Sequence, residues 1–463
     1  MKYIHLFLTF LATSSWFYFV FQNVENFRSG GVATIFLIAF IVLSFSNLFI
    51  QFIIDYKTIV FRKVLFLTLF FFLFFSIKIL IDLKNSSEFS SFTFGTTKGV
   101  ITAYFIGVSM ALNLQYLMRS FHSSKFYGNL VVLAVLLLFL FYSYELSNTI
   151  KAFLADLRED IFLISDGKGK YQRPGILLIM SYTYLSVLFL IINYLCNPKF
   201  NYLRISVLII INILYLLITI AIIVLSQIIG SNSAVLFVLV LFFPTFIFNL
   251  IGFLKQKKLS TIEEKITMKK FLFGIKWSPI VKKSFFALSL FSFIVAFAIQ
   301  QSNFDITKTR LLGFGKGENN SVNSRVKIIQ ENFITHLTYN PIFGDFEVDR
   351  KTTGKGTYVH SFIVTIQTHL GLFGLLMILL ILYFLWNNLR YSNNYLGCNY
   401  INDFYLKRIF RIYLLILLTV FFLFSSLTTF LTWMPIWMVF ALISTPILIN
   451  QSKIETFYLQ NRC

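Results

Sequence analysis

Long uninterrupted apolar runs dominate this chain, and polar residues are gathered into the stretches between them. Twelve runs stand near 3–21, 32–54, 64–83, 98–117, 130–150, 174–195, 205–225, 233–253, 284–300, 361–386, 409–427 and 430–449. A helix needs about 20 residues to cross a hydrocarbon core of roughly 30 Å. Lipid offers no hydrogen-bond partners, so such runs must satisfy their backbone groups internally, as helices do. The pattern predicts an all-α polytopic membrane protein of about 12 transmembrane helices, one integral membrane domain over 1–463. The first run begins at Tyr3 with no small-residue cleavage site behind it, so it reads as a retained span.

Composition agrees. The chain is 57% hydrophobic and 13% charged, about half the charge of a soluble domain. This excludes a sizeable soluble domain. The formal net charge of +21 does not point to nucleic acid, because no basic soluble domain exists to bind it. The excess sits in short loops. Lys57, Arg62 and Lys63 follow span two, Arg119 and Lys125 span four, and Lys199 and Arg204 span six. Lys255 to Lys283 follow span eight, and Arg390, Lys407 and Arg408 follow span ten. All fall on one side, which the positive-inside rule makes cytoplasmic, and both termini join it. Cys196, Cys398 and Cys463 are far apart and lack metal-ligand spacing.

The loops 151–173 and 301–360 then lie outside. In 151–173, Phe153, Leu154, Leu157 and Ile161 recur at helical spacing, predicting an amphipathic segment on the membrane surface. The basic cytoplasmic loop 254–283 carries Ser260 and Glu263 as a capping box and lysines suited to anionic lipid.

The loop 301–360 holds the densest polar chemistry. Asn323 and Ser324 suit helix caps, and Arg325 opens the helix they begin. Val326, Ile329, Phe333 and Leu337 form its apolar face, and Asn340-Pro341 stops it. A guanidinium at a helix N-terminus grips phosphate in a fork, where free N–H groups already favour anions. A turn built on Pro341 and Gly344 follows, then a Gly-rich segment over 353–356 that reads as a mobile cover for substrate. Next comes His360-Ser361, nine residues, Gly371, two residues and Gly374. On a continuous helix, at about 100° per residue, His360, Gly371 and Gly374 share a face. The glycines there permit close approach of another helix or a lipid tail. His369 points the other way and reads as a packed membrane histidine, while His336 reads as a surface residue of the loop helix. A near-neutral histidine suits general-base work, and a phosphate-gripping arginine suits leaving-group stabilisation. Group transfer from a phosphate ester to a hydroxyl fits; so does a transporter with the histidine as proton relay.

These residues resemble the O-antigen polymerase and O-antigen ligase superfamily of bacterial envelope enzymes. The carriers are His360-Ser361 with Gly371 and Gly374, Ser324-Arg325, and Asn340-Pro341-Ile342-Phe343-Gly344. The resemblance is strongest over 300–386 and topological elsewhere. It implies a GT-C-like fold with a large periplasmic catalytic loop, 301–360, between spans nine and ten of an inner-membrane protein. It also implies metal-independent, inverting glycosyl transfer from an undecaprenyl-pyrophosphate-linked oligosaccharide, with no cofactor. His360 matches the residue that activates the acceptor hydroxyl, and Arg325 one that holds donor pyrophosphate. Arg173, in Gln172-Arg173-Pro174-Gly175, matches a second pyrophosphate-binding arginine. One departure stands out: where many members carry a Ser-Arg-Gly-like turn, this chain reads Gly230-Ser231-Asn232-Ser233, without a basic residue. A chain-length regulator and a flippase are implied partners beside membrane lipid.

A polymerase, a ligase that moves the finished chain onto lipid A-core and a related enzyme that moves glycan onto protein share fold, donor and motif; the resemblance as a whole favours the polymerase. A transporter would show internal repeats and charges deep within spans. No clear repeat is present, and Lys78, Asp82 and Glu145 lie toward the outer ends of their spans, within reach of the interface.

Overall fold

The computed structural model describes residues 2–25, 34–55, 63–86, 97–121, 125–155, 172–195, 202–229, 231–258, 334–352, 361–391, 404–428, 431 and 433–445. The helices are α1 (Lys2–Glu25), α2 (Thr34–Asp55), α3 (Lys63–Leu83), α4 (Lys98–Phe121), α5 (Lys125–Ala155) and α6 (Gln172–Leu195). They continue with α7 (Tyr202–Ile228), α8 (Asn232–Lys258), α9 (Val348–Thr352), α10 (Phe362–Tyr391), α11 (Phe404–Thr428) and α12 (Met434–Ser444). Among the described residues there is no strand. Eight helices, α1 to α7 and α10, are long and apolar enough to cross a membrane, and α8, α11 and α12 carry shorter apolar stretches. The chain is a polytopic membrane protein.

Each expected span has its helix among the described residues except 284–300, which lies outside them. The last differs in kind. Where 430–449 is expected to span, α12 has 11 residues, about 16 Å of helix. It is an interior element: residues 435–444 are all buried. Gly107 of α4 lets it approach, since a Cβ there would lie 2.2 Å from the Met438 carbonyl oxygen and 2.7 Å from Ala441 Cβ. Close backbone approach of this kind drives helix association where lipid supplies no hydrophobic force. Trp437 anchors the helix, stacked on Phe71 at 5.4 Å with its Nε1–H donated to Leu431 O at 2.7 Å.

The other central helix is α6, 89% buried along its most apolar stretch, against 22% for α2. Its hydroxyls tie it to its neighbours. Tyr182 donates to Tyr215 at 3.0 Å, Ser186 pairs with Tyr215 at 2.9 Å, and Tyr184 pairs with Thr13 at 3.0 Å. Such hydroxyl pairs fix helix register in a core that dispersion alone leaves slippery.

Two expected boundaries move. Residues 151–155, assigned to the surface segment 151–173, continue α5 in line, and Phe153 is buried. The basic loop expected at 254–283 begins later, because α8 runs to Lys258.

Candidate functional site

The helix that follows His360 in sequence is broken. Ser361 caps α10: its Oγ accepts the Val364 N–H at 3.4 Å and its carbonyl the Thr365 N–H at 2.8 Å. Ten residues on, Gly371 takes φ 66°, ψ −168°, a conformation open essentially to glycine alone. The break frees two amides that no longer have helical acceptors. A turn from the loop supplies them. Leu372 N–H donates to Pro341 O at 2.8 Å and Phe373 N–H to Ile342 O at 3.1 Å. In return, Thr368 O accepts the Asp345 N–H at 2.9 Å, and Gln367 Nε2 donates to Pro341 O at 3.0 Å.

Only glycines allow this fit. A Cβ on Gly371 would lie 2.2 Å from Ile342 O, and one on Gly344, also at φ +66°, 2.4 Å from His369 C. The unbroken helix on which the expected shared face of His360, Gly371 and Gly374 depends is interrupted, because the helix phase is reset at Gly371. The close approach at Gly371 is made by the Ile342-Phe343 backbone, rather than by a second helix or a lipid tail. At Gly374 the crowding atom is Leu370 Cβ of the same helix, at 2.3 Å from an added Cβ.

The same turn is tied to α3. Lys78 Nζ lies 2.6 Å from both carboxylate oxygens of Asp82, and Asp82 Oδ2 also accepts the Phe346 N–H at 3.1 Å. These charges are largely covered by protein. Their side chains are 12% and 8% exposed, and Glu145 is buried too. The i, i+4 spacing of Lys78 and Asp82 was the signal in the sequence. Phe346 is buried between Phe75, at 5.6 Å, and the His369 ring, at 5.0 Å.

Asp345 organises the next turn. Its Oδ1 accepts the Glu347 N–H at 2.8 Å, and its Oδ2 receives Lys351 Nζ at 2.6 Å. That hydrogen bond raises the Lys351 pKa above the ordinary lysine value, against the opposing pull of burial. Glu347 adds a longer contact to Lys351 at 3.4 Å. The acids Asp345 and Glu347 are thus both engaged by a lysine.

The helix before the turn ends where Asn340-Pro341 predicts, with residues 334–339 helical. Its inward residue is a surprise. His336, expected at the surface, is 2% exposed, and burial lowers its pKa below the ordinary histidine value. His369 is buried as expected.

His360 and Arg325 lie outside the described residues, as does the Gly-rich segment 353–356. Arg173 is the second residue of α6, and its side chain lies outside the description. Two residues on, Gly175 meets Ser231, just before α8, so closely that a Cβ would lie 2.0 Å from Ser231 Oγ. The start of α6 and the turn lacking a basic residue are therefore in contact.

The fold brings together the Asn340–Gly344 block and the Gly371 end of the histidine motif, two pieces of sequence about thirty residues apart. Comparisons with protein-family models, with curated proteins and with solved structures give no match.

Proposed function

We propose that this chain is a membrane glycosyltransferase of the O-antigen polymerase and ligase type, acting as a surface-polysaccharide polymerase. His360 takes the proton of a hydroxyl on a lipid-linked acceptor unit. The freed oxygen attacks the anomeric carbon of the undecaprenyl-pyrophosphate-linked donor, the carbon–oxygen bond to pyrophosphate breaks with inversion, and the lipid pyrophosphate leaves. Arg325 and Arg173 hold that leaving group, where forked guanidinium contacts stabilise the charge as it forms. On this reading the fold is GT-C-like. The protein sits in the bacterial inner membrane, with both termini cytoplasmic, the site periplasmic, and a chain-length regulator and flippase as partners.

The observation that carries the reading is the combined motif of His360-Ser361, Gly371, Gly374, Ser324-Arg325 and Asn340–Gly344. It is supported by the main-chain pairing of two of its blocks, Pro341-Ile342 with Leu372-Phe373. A lipopolysaccharide gel of a deletion strain tests it. Core carrying a single repeat unit identifies a polymerase. Bare core, with polymer retained on undecaprenyl lipid, identifies the ligase instead. An unchanged ladder refutes both. In a complemented strain, His360→Ala is expected to abolish the ladder while the protein still inserts. Arg325→Lys is expected to be much worse than neutral, because a point charge does not replace the fork.

A further inference from the structure

The Asn340–Phe346 turn is tied to the Leu83 half of α3, where the Phe346 amide bonds Asp82 one residue from the end and the Phe346 ring reaches back to Phe75. α3 has 21 residues, Lys63 to Leu83, about 30 Å of helix and so one hydrocarbon thickness. Phe74 lies eleven residues from Lys63 and nine from Leu83, which places it about 16 Å and 14 Å from the two ends. Phe373, the second residue beyond the break, meets Phe74 at 4.9 Å. Phe343 of the turn meets Phe373 at 6.5 Å, and Phe346 meets Phe75 at 5.6 Å.

Much of the backbone of the turn is paired within the protein. The carbonyls of Asn340, Pro341 and Ile342 all accept hydrogen bonds, and the amides of Phe343, Gly344, Asp345 and Phe346 all donate. Irregular backbone at membrane depth is tolerated where protein covers it, and these groups find their partners on α3, on α10 and within the turn.

Its tip is apolar and uncovered. Ile342 is 58% and Phe343 54% exposed. They continue the bare faces of the flanking helices, Phe70, Leu73 and Ile77 on α3 and Leu372, Phe373 and Leu376 on α10. The first half of α10 shows no such face, since no residue of 361–370 is exposed.

We propose that residues 340–346 are a re-entrant element seated at hydrocarbon depth, with the side chains of Ile342 and Phe343 packed against membrane lipid chains. The segment leaves the aqueous loop, turns within the membrane at Pro341–Gly344 and returns through the Asp345–Lys351 ion pair. The proposal is independent of the reaction assigned above.

The test is spin-label accessibility in proteoliposomes. Ile342→Cys and Phe343→Cys are made in the full chain, with Cys196, Cys398 and Cys463 replaced by serine, and Arg350→Cys serves as the exposed reference. Oxygen concentrates in hydrocarbon, whereas a water-soluble nickel chelate is excluded from it. The ratio of oxygen to nickel collisions at positions 342 and 343 is expected to exceed that at 350 by about tenfold, given the cost of bringing a polar complex into hydrocarbon. A ratio equal to that at 350 places the tip in water and overturns the proposal. Low collision rates with both reagents mean that protein covers the tip, from this chain or a second copy, and overturn it equally. So does loss of the folded protein in both variants, because a lipid-facing side chain tolerates cysteine.

Discussion

Replacing Gly371 with alanine tests the joint on which the turn hangs. Two costs add. At φ 66°, ψ −168° an L-residue is strained by about 1–3 kcal/mol. The new Cβ would also lie 2.2 Å from Ile342 O, 2.3 Å from Ile342 C and 2.5 Å from Phe343 N. These are backbone atoms, so no side chain can swing aside. The turn must retreat by about 1 Å to reach an ordinary separation of about 3.5 Å. That retreat breaks the Leu372–Pro341 and Phe373–Ile342 hydrogen bonds, worth about 1 kcal/mol each. The sum is about 3–5 kcal/mol, so the docked turn loses a factor of about one hundred to a few thousand in population. Hydrogen–deuterium exchange in nanodiscs reads it directly. Peptides containing Leu372 and Phe373 should exchange faster by that factor, up to the rate of free amides. The control is Gly99→Ala, where no heavy atom lies within 4 Å of the added carbon. Unchanged exchange at 372 and 373, with an unchanged thermal midpoint, would refute the reasoning.

Gly344→Ala should have a similar effect, since it meets His369 C and Gly371 N at 2.4 and 2.5 Å. The double variant with Gly371→Ala should cost clearly less than the sum in thermal midpoint, because both release one contact. Asp82→Ala strands Lys78 in a largely buried site, so its thermal midpoint should fall further than that of Lys78→Met with Asp82→Leu, which removes both charges. Burial holds the pKa of His336 down in the folded protein, so the unfolded chain binds the additional proton. Its contribution to stability is then complete above the unfolded value of about 6.5 and is lost as pH falls below it toward the folded value. The thermal midpoint should drop across that range, and His336→Gln should flatten the drop; an identical acid limb in both proteins would refute the assignment.

The membrane helices were legible because run length alone decides them. The stop at Asn340-Pro341 was legible because proline acts locally. What the sequence hid depends on distant partners. A glycine pair in an apolar run reads as a helix-packing stripe, and a wheel drawn through it assumes one unbroken helix. Only the arrival of Pro341 and Ile342 makes Gly371 a break. Lys78 and Asp82 stand four residues apart, a spacing that pairs them on one helix face. Their partner, the Phe346 amide, is 264 residues away. His336 was assigned to the surface on polarity, but burial follows the face a helix turns inward, and the neighbours of 334–339 decide that. The length of α12 was misjudged for a similar reason: the apolar run 430–449 looks like a span, and burial on α4 makes part of it an interior helix.

The break also gives the histidine motif a mechanical sense. Residues 362–370 are a helical strut of nine residues, about 14 Å long. One end is locked at Gly371 by the turn, the Thr368–Asp345 bond and, through Phe346, the ion pair on α3. The other end is capped by Ser361, with His360 as the next residue toward the N-terminus. The fixed spacing between Ser361 and Gly371 then sets a direction, because each added residue would rotate one end against the other by about 100°. A helical face shared with the glycines is not required. If the proposed function holds, the general base would be positioned by this clamp rather than by the acids beside it, since Asp345 and Glu347 are taken up by Lys351. That division of labour is consistent with a reaction in which one histidine moves the proton and the arginines carry the charge.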